Sequence, residues 1–160
     1  MTLDRRKLIA GTAASTAALL SAKQLSGTEL KTPASNYMLC AFVKFIQKLP
    51  YQQLAETVAD LGFDGIEATV REGGHVLPER VQDDLPKLVE ALRKHNLEIG
   101  VMASSVHQLD QPDTEKVLRT ASQLGIKRYR MKYFRYDLNR PVIQQINQIR
   151  AQVKDLVALN

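Results

Sequence analysis

Six side chains gather most of the donors, bases and acids that this sequence could bring to a ligand: Glu67, Arg71, His75, His107, Arg130 and Lys132. They fall in three short stretches. "DGIEATVREGGHVLPER" (64–80) carries Glu67, Arg71 and His75; "ASSVHQLD" (103–110) carries Ser104, Ser105 and His107; "KRYRMKY" (127–133) carries Arg128, Arg130, Lys132 and Tyr133. Arg71, Arg130 and Lys132 offer several donors each and keep their charge, which suits an anionic or polyhydroxylated ligand. Their spacing assigns no catalytic residue and no metal ligand. Nucleotide chemistry lacks support, since no Gly-x-Gly-x-x-Gly follows a strand and neither a Walker loop nor a Gly-x-Ser-x-Gly elbow occurs. One cysteine, Cys40, rules out an internal disulfide and a multi-cysteine zinc cluster, and in "MLCAFV" it reads as a small buried hydrophobe.

The elements that must position these groups repeat four times. Apolar or β-rich runs occur at 37–43, 64–70, 97–103 and 127–133. Between and after them lie stripes at helical spacing: Leu54, Val58 and Leu61; Leu85, Leu88, Val89 and Leu92; Val117, Ala121 and Leu124; Val142, Ile146, Ile149, Val153 and Leu156. Gly62 and Gly125 stand where helix C-caps would fall. Strict alternation predicts an α/β fold, a parallel sheet with helices packed outside it.

A doubly wound sheet and a (β/α) barrel share this rhythm, and the strand patterns favour the barrel. Ile66, Ala68 and Val70 alternate with Glu67 and Thr69, while Tyr129, Met131 and Tyr133 alternate with Arg128, Arg130 and Lys132. The apolar sides belong against helices, so Glu67 and the basic residues are expected on the opposite, inner face. There Glu67 forms an ion pair or orients one of the cations. In βα barrels reactive groups collect at the C-terminal ends of the strands, which places Lys44, Arg71, His75, His107, Arg130, Lys132 and Tyr136 on one rim. His95 falls on the other rim, at a helix end.

The 160 residues fit one domain, and 44% hydrophobic with 24% charged residues describes a globular chain. The net charge of +5 is concentrated near the start. Residues 1–23 hold Arg5, Arg6, Lys7 and Lys23 against Asp4, which leaves a net of only +2 beyond them and no nucleic-acid partner expected. "DRRKLIAGTAASTAALL" (4–20) places an arginine pair before a weakly apolar run, the layout of a twin-arginine export signal. The expected organisation is a leader over 1–26, a polar linker over 27–36 and one domain over 37–160. Periplasmic export follows, with no stable membrane span, because the apolar run falls short of about 20 residues.

Residues 61–102, "LGFDGIEATVREGGHVLPERVQDDLPKLVEALRKHNLEIGVM", resemble the first half of the sugar phosphate isomerase/epimerase proteins of the xylose-isomerase-like TIM-barrel superfamily. "GFDGIE" with Glu67 carries the broad likeness; "GGHVLPE" and "ASQLGIKRYRMKYFRYD" narrow it to a subgroup that often has twin-arginine leaders. The resemblance implies a TIM-type barrel holding one divalent metal of the Mn, Mg, Zn or Co type. That metal polarises a sugar's oxygens while carboxylates move a proton, or a hydride shifts instead. A full barrel takes about 250 residues, and the family's metal ligands lie mainly on later strands. The chain is therefore expected to be a half barrel of four βα units, a fragment lacking the metal half, with self-pairing as the other way to close the sheet. Its expected partner is a small-molecule carbohydrate bound by Glu67, Arg71, His75, His107, Arg130 and Lys132. The alternatives are a non-catalytic sugar-binding or remnant domain and an apurinic endonuclease-like nuclease.

Overall fold

The computed structural model describes residues 37–159. The leader expected over 1–26 and the linker over 27–36 lie outside the described residues. Four strands, β1 (Cys40–Phe42), β2 (Gly65–Val70), β3 (Glu98–Ser104) and β4 (Tyr129–Arg130), form one sheet in the order β1-β2-β3-β4. Every pairing is parallel. Helices α1 (Tyr51–Asp60), α2 (Val81–Arg93), α3 (Thr114–Gln123) and α4 (Val142–Leu159) follow the strands in turn. The described residues thus form an α/β fold with a four-stranded parallel sheet and four α-helices.

Most of the first three expected helical stripes bury, although Leu61 is exposed and Leu124 only half-buried, whereas the fourth buries Leu156 alone. Leu54 and Val58 of α1, Leu85, Leu88, Val89 and Leu92 of α2, and Val117 and Ala121 of α3 all belong to the core. They meet Ile66, Ala68 and Val70 of β2 with Ile99 and Met102 of β3. Gly62 and Gly125 adopt positive φ just past α1 and α3, as the sequence predicts, and Asn96 does the same after α2 without a glycine to mark it. Asparagine tolerates the left-handed region better than most residues.

Two strands are shorter than expected. Each edge strand has a neighbour on one side only: β1 spans 40–42 rather than 37–43, and β4 spans 129–130 rather than 127–133. Hydrogen bonds from Met102 N–H to the Arg128 carbonyl and from Lys132 N–H to the Val106 carbonyl still carry residues 128–132 alongside β3. Among the described residues no helix is long and apolar enough to cross a membrane.

Candidate functional site at the C-terminal rim

The register explains which side chains meet. Thr69 pairs with Ala103, and Ala103 with Arg130, so these three form one row across the inner face. Glu67 sits one pair back on that face, opposite Val101. The long Arg130 side chain reaches diagonally to it: Nη2 lies 2.7 Å and Nε 3.1 Å from the same Glu67 oxygen. The expected meeting of Glu67 with the strand-four cations thus takes a definite form. Arg130 Nη1 donates to the Tyr133 hydroxyl at 3.1 Å. Its pKa is raised, first by the hydrogen bond to Glu67, so the guanidinium stays charged.

Strand alternation predicts Tyr133 on the helix side with Tyr129 and Met131, and the structure places it elsewhere. It is 79% exposed and joins Arg130 instead. The β4 ladder stops at Arg130, so the alternation imposed by a strand ends before position 133.

Beyond the ends of β2, β3 and β4 lies a cavity of about 230 Å³ lined by Arg71, Ser104, Ser105, Arg130, Lys132 and Tyr133, with Glu72, Ala103 and Met131 completing it. Such a hollow is smaller than the roughly 300–1,000 Å³ of sites for drug-sized ligands, and suits one sugar ring or an anionic group. Among the described residues the side chains of Arg71 and Lys132 have no acidic partner, whereas Arg130 is held by Glu67. The Ser104 hydroxyl donates to the Arg130 carbonyl at 3.0 Å and fixes the edge strand to β3.

A larger hollow of about 590 Å³ runs along α3, where its cations are already engaged: Lys116 with Asp113 at 2.6 Å and Arg119 with Glu115 at 2.7 Å. The rim cavity is the better candidate, because Arg71 and Lys132 have no acidic partner among the described residues.

Three of the six expected residues, Arg71, Arg130 and Lys132, line this cavity, and Glu67 stands behind it as the partner of Arg130. His75 and His107 do not line it. His107 is half-buried, with Nδ1 3.3 Å from the Ser105 carbonyl and its ring edge-on to Phe134. His75 is 9% exposed and packed beneath the loop that carries Arg71. Ser104, Ser105 and Tyr133 join the lining from stretches the sequence had already marked. His95, on the opposite rim, pairs with Gln52 at 3.1 Å.

Among the described residues no three His, Cys, Asp or Glu side chains gather as a metal-binding group. These residues do not supply a divalent ion's ligand set. Comparison with protein-family models finds no match, and comparison with curated proteins finds none.

Proposed function

We propose that this chain binds a small carbohydrate carrying an anionic group at the C-terminal rim of its sheet, as the first βα units of a TIM-type barrel of the xylose-isomerase-like kind. On this reading it is a sugar phosphate isomerase/epimerase-like protein, exported through its arginine-pair leader. The observation that carries the binding reading is the sharing of one 230 Å³ cavity by Arg71, Arg130 and Lys132 with two serines. Arg71 and Lys132 supply charge to the anion, while Arg130, fixed by Glu67 and Tyr133, presents its remaining N–H groups in a set direction. The Ser105 hydroxyl can both donate to and accept from a sugar hydroxyl, whereas the Ser104 O–H is committed to the Arg130 carbonyl.

This lining is rich in donors and holds one carboxylate, Glu72. That balance favours, as a second reading, a carbohydrate-binding domain without turnover.

Calorimetry on the full chain tests the site with D-ribose 5-phosphate and D-xylose as probes. The phosphorylated sugar is expected to bind more tightly. Arg71→Ala and Lys132→Ala should each weaken it by about tenfold, since a hydrogen bond to a charged group contributes about 1.5–3 kcal/mol. Equal affinity in the parent and both variants would sink the assignment. Isomerisation assays with and without manganese then separate an enzyme from a binding domain.

A further inference from the structure

The loop between β2 and α2 closes on itself. Arg71 N–H donates to the Val76 carbonyl at 3.0 Å, Val76 N–H to the Thr69 carbonyl at 3.2 Å, and Gly74 N–H to the Arg71 carbonyl at 2.9 Å. Residues 71–76 therefore form a turn whose two ends are pinned at the top of β2, where Val70 and Val76 bridge. Gly74 presses so closely on the strand that a Cβ there would meet the Thr69 carbonyl oxygen at 2.7 Å and its Oγ1 at 2.9 Å.

His75 anchors this turn from below. Its amide donates to Thr69 Oγ1 at 2.9 Å, and its Nδ1 lies 2.8 Å from the same oxygen. Its carbonyl accepts the Tyr51 hydroxyl at 3.0 Å, and Gln47 Nε2 donates to the neighbouring Gly73 carbonyl at 2.8 Å. The loop thus folds back over Thr69, which is fully buried although it belongs to the inner face of the sheet.

Two buried side-chain atoms here have no partner among the described residues, His75 Nε2 and Gln47 Oε1. Thr69 can serve Nδ1 whichever tautomer the neutral ring adopts, and Nε2 is unpaired in both. A second proton makes Nε2 the donor of a buried cation with no acceptor in reach, a state that water would stabilise and the closed loop does not.

We infer that His75 is a proton-operated latch on the Arg71 loop: neutral, it holds residues 71–76 closed with Arg71 at the cavity; charged, it releases Thr69 and the loop opens. Calling Arg71 a ligand-binding group rests on the function proposed above, but the latch itself does not.

The charged and titratable groups on the segments that hold this turn are Tyr51 of α1 with the Arg80–Asp84 pair that acts on it, Arg71 and Glu72 on the loop, Glu67 on β2, and Lys44 and Lys48 close to Gln47 in sequence. Tyr51 reaches only the His75 carbonyl, and among the described residues none of these groups pairs with the His75 ring. Burial alone pushes its pKa below the ordinary 6.5.

The test is nuclear magnetic resonance on the full chain, following the His75 ring from pH 8 to 4.5 together with the amide protection factors of Arg71, Val76 and Met102. The expected result is a His75 midpoint below 6.5, with protection at Arg71 and Val76 falling at least tenfold across it and Met102 unchanged. His75→Gln should remove that pH dependence. Thr69→Val, which takes away the hydroxyl, should leave both loop amides poorly protected already at pH 8. Loop protection that stays level through the midpoint, or a midpoint at or above 6.5, overturns the latch even if neither variant folds. Binding of sulfate, whose charge is constant over this range, should weaken across the same midpoint. Absence of sulfate binding at pH 8 would count against the cavity as an anion site and leave the latch to the amide data.

Discussion

The two sides of this sheet hold their helices very differently. In the centre, β2 pairs along its whole length with β3, and α2 buries Val81, Leu85, Leu88, Val89, Ala91 and Leu92 against them. At the edge, β4 offers two paired residues, and the longer α4 buries only Gln145 and Leu156. The α4 stripe is present in the sequence, yet Val142 is exposed and Ile146, Ile149 and Val153 are only half-buried. A helix gains stability from the apolar area it removes from water, and a two-residue strand gives it little to cover. The candidate site straddles this boundary. Arg71 comes from the firm side, while Arg130, Lys132 and Tyr133 come from the lightly held one.

The largest effect that would sharpen this contrast is in the core. Leu88→Ala should cost about 2–5 kcal/mol of unfolding free energy, the range for a fully buried leucine, whereas Ile149→Ala in α4 should cost about 1 kcal/mol. Denaturant titration of both variants checks it, and equal losses would erase the distinction. Hydrogen exchange should agree, with α4 amides opening well before those of β2 and β3.

A smaller effect bears on how the weak side still presents an ordered cation. Glu67→Gln keeps the shape but removes the charge that fixes Arg130. The pair is partly open to solvent, with side-chain exposures of 41% and 25%, so stability should change by less than about 1 kcal/mol. Affinity for ribose 5-phosphate should fall roughly threefold to fivefold, an effect of about 1 kcal/mol or less. A loss as large as that of Arg71→Ala would mean that Glu67 itself meets the ligand.

Much of this was legible in advance, for identifiable reasons. Strand and helix periods differ, so Ile66-Ala68-Val70 and Leu85-Leu88-Leu92 announced their elements, and the two glycine stops marked helix ends. The approach of Glu67 to the strand-four cations followed from alternation alone. What alternation could not supply was its own end point. Alternation assigns Tyr133 to the helix side because nothing in "KRYRMKY" says that the ladder stops at Arg130. Its position after β2 puts His75 at the ligand rim, while its direction depends on contacts from Thr69, Tyr51 and the Gln47-held Gly73, which no local pattern encodes. The glycines of "EGGH" did carry a hint, since only a residue without a side chain fits against Thr69 at position 74.

The smallest predicted effect separates the two sides of the loop by pH. His75 has its pKa lowered by burial, and Asp84 has its own lowered below 3.8, first by the hydrogen bond from Arg80 and then by that from Lys87. For both groups the unfolded chain binds more protons than the folded one between the two values, so both make stability fall as pH falls. The windows differ. The histidine contribution is intact above 6.5 and is lost as pH drops through the lowered value; the aspartate contribution is intact above 3.8 and is lost only in stronger acid. Stability measured by denaturant midpoint from pH 8 to 3 should therefore decline in two stages. His75→Gln should abolish the upper stage and spare the lower. Asp84→Asn should do the reverse and by less, because its partners Arg80 and Lys87 lie open to solvent. A single decline untouched by either substitution would place acid sensitivity elsewhere in the chain and remove any link between protonation of His75 and the order of the Arg71 loop.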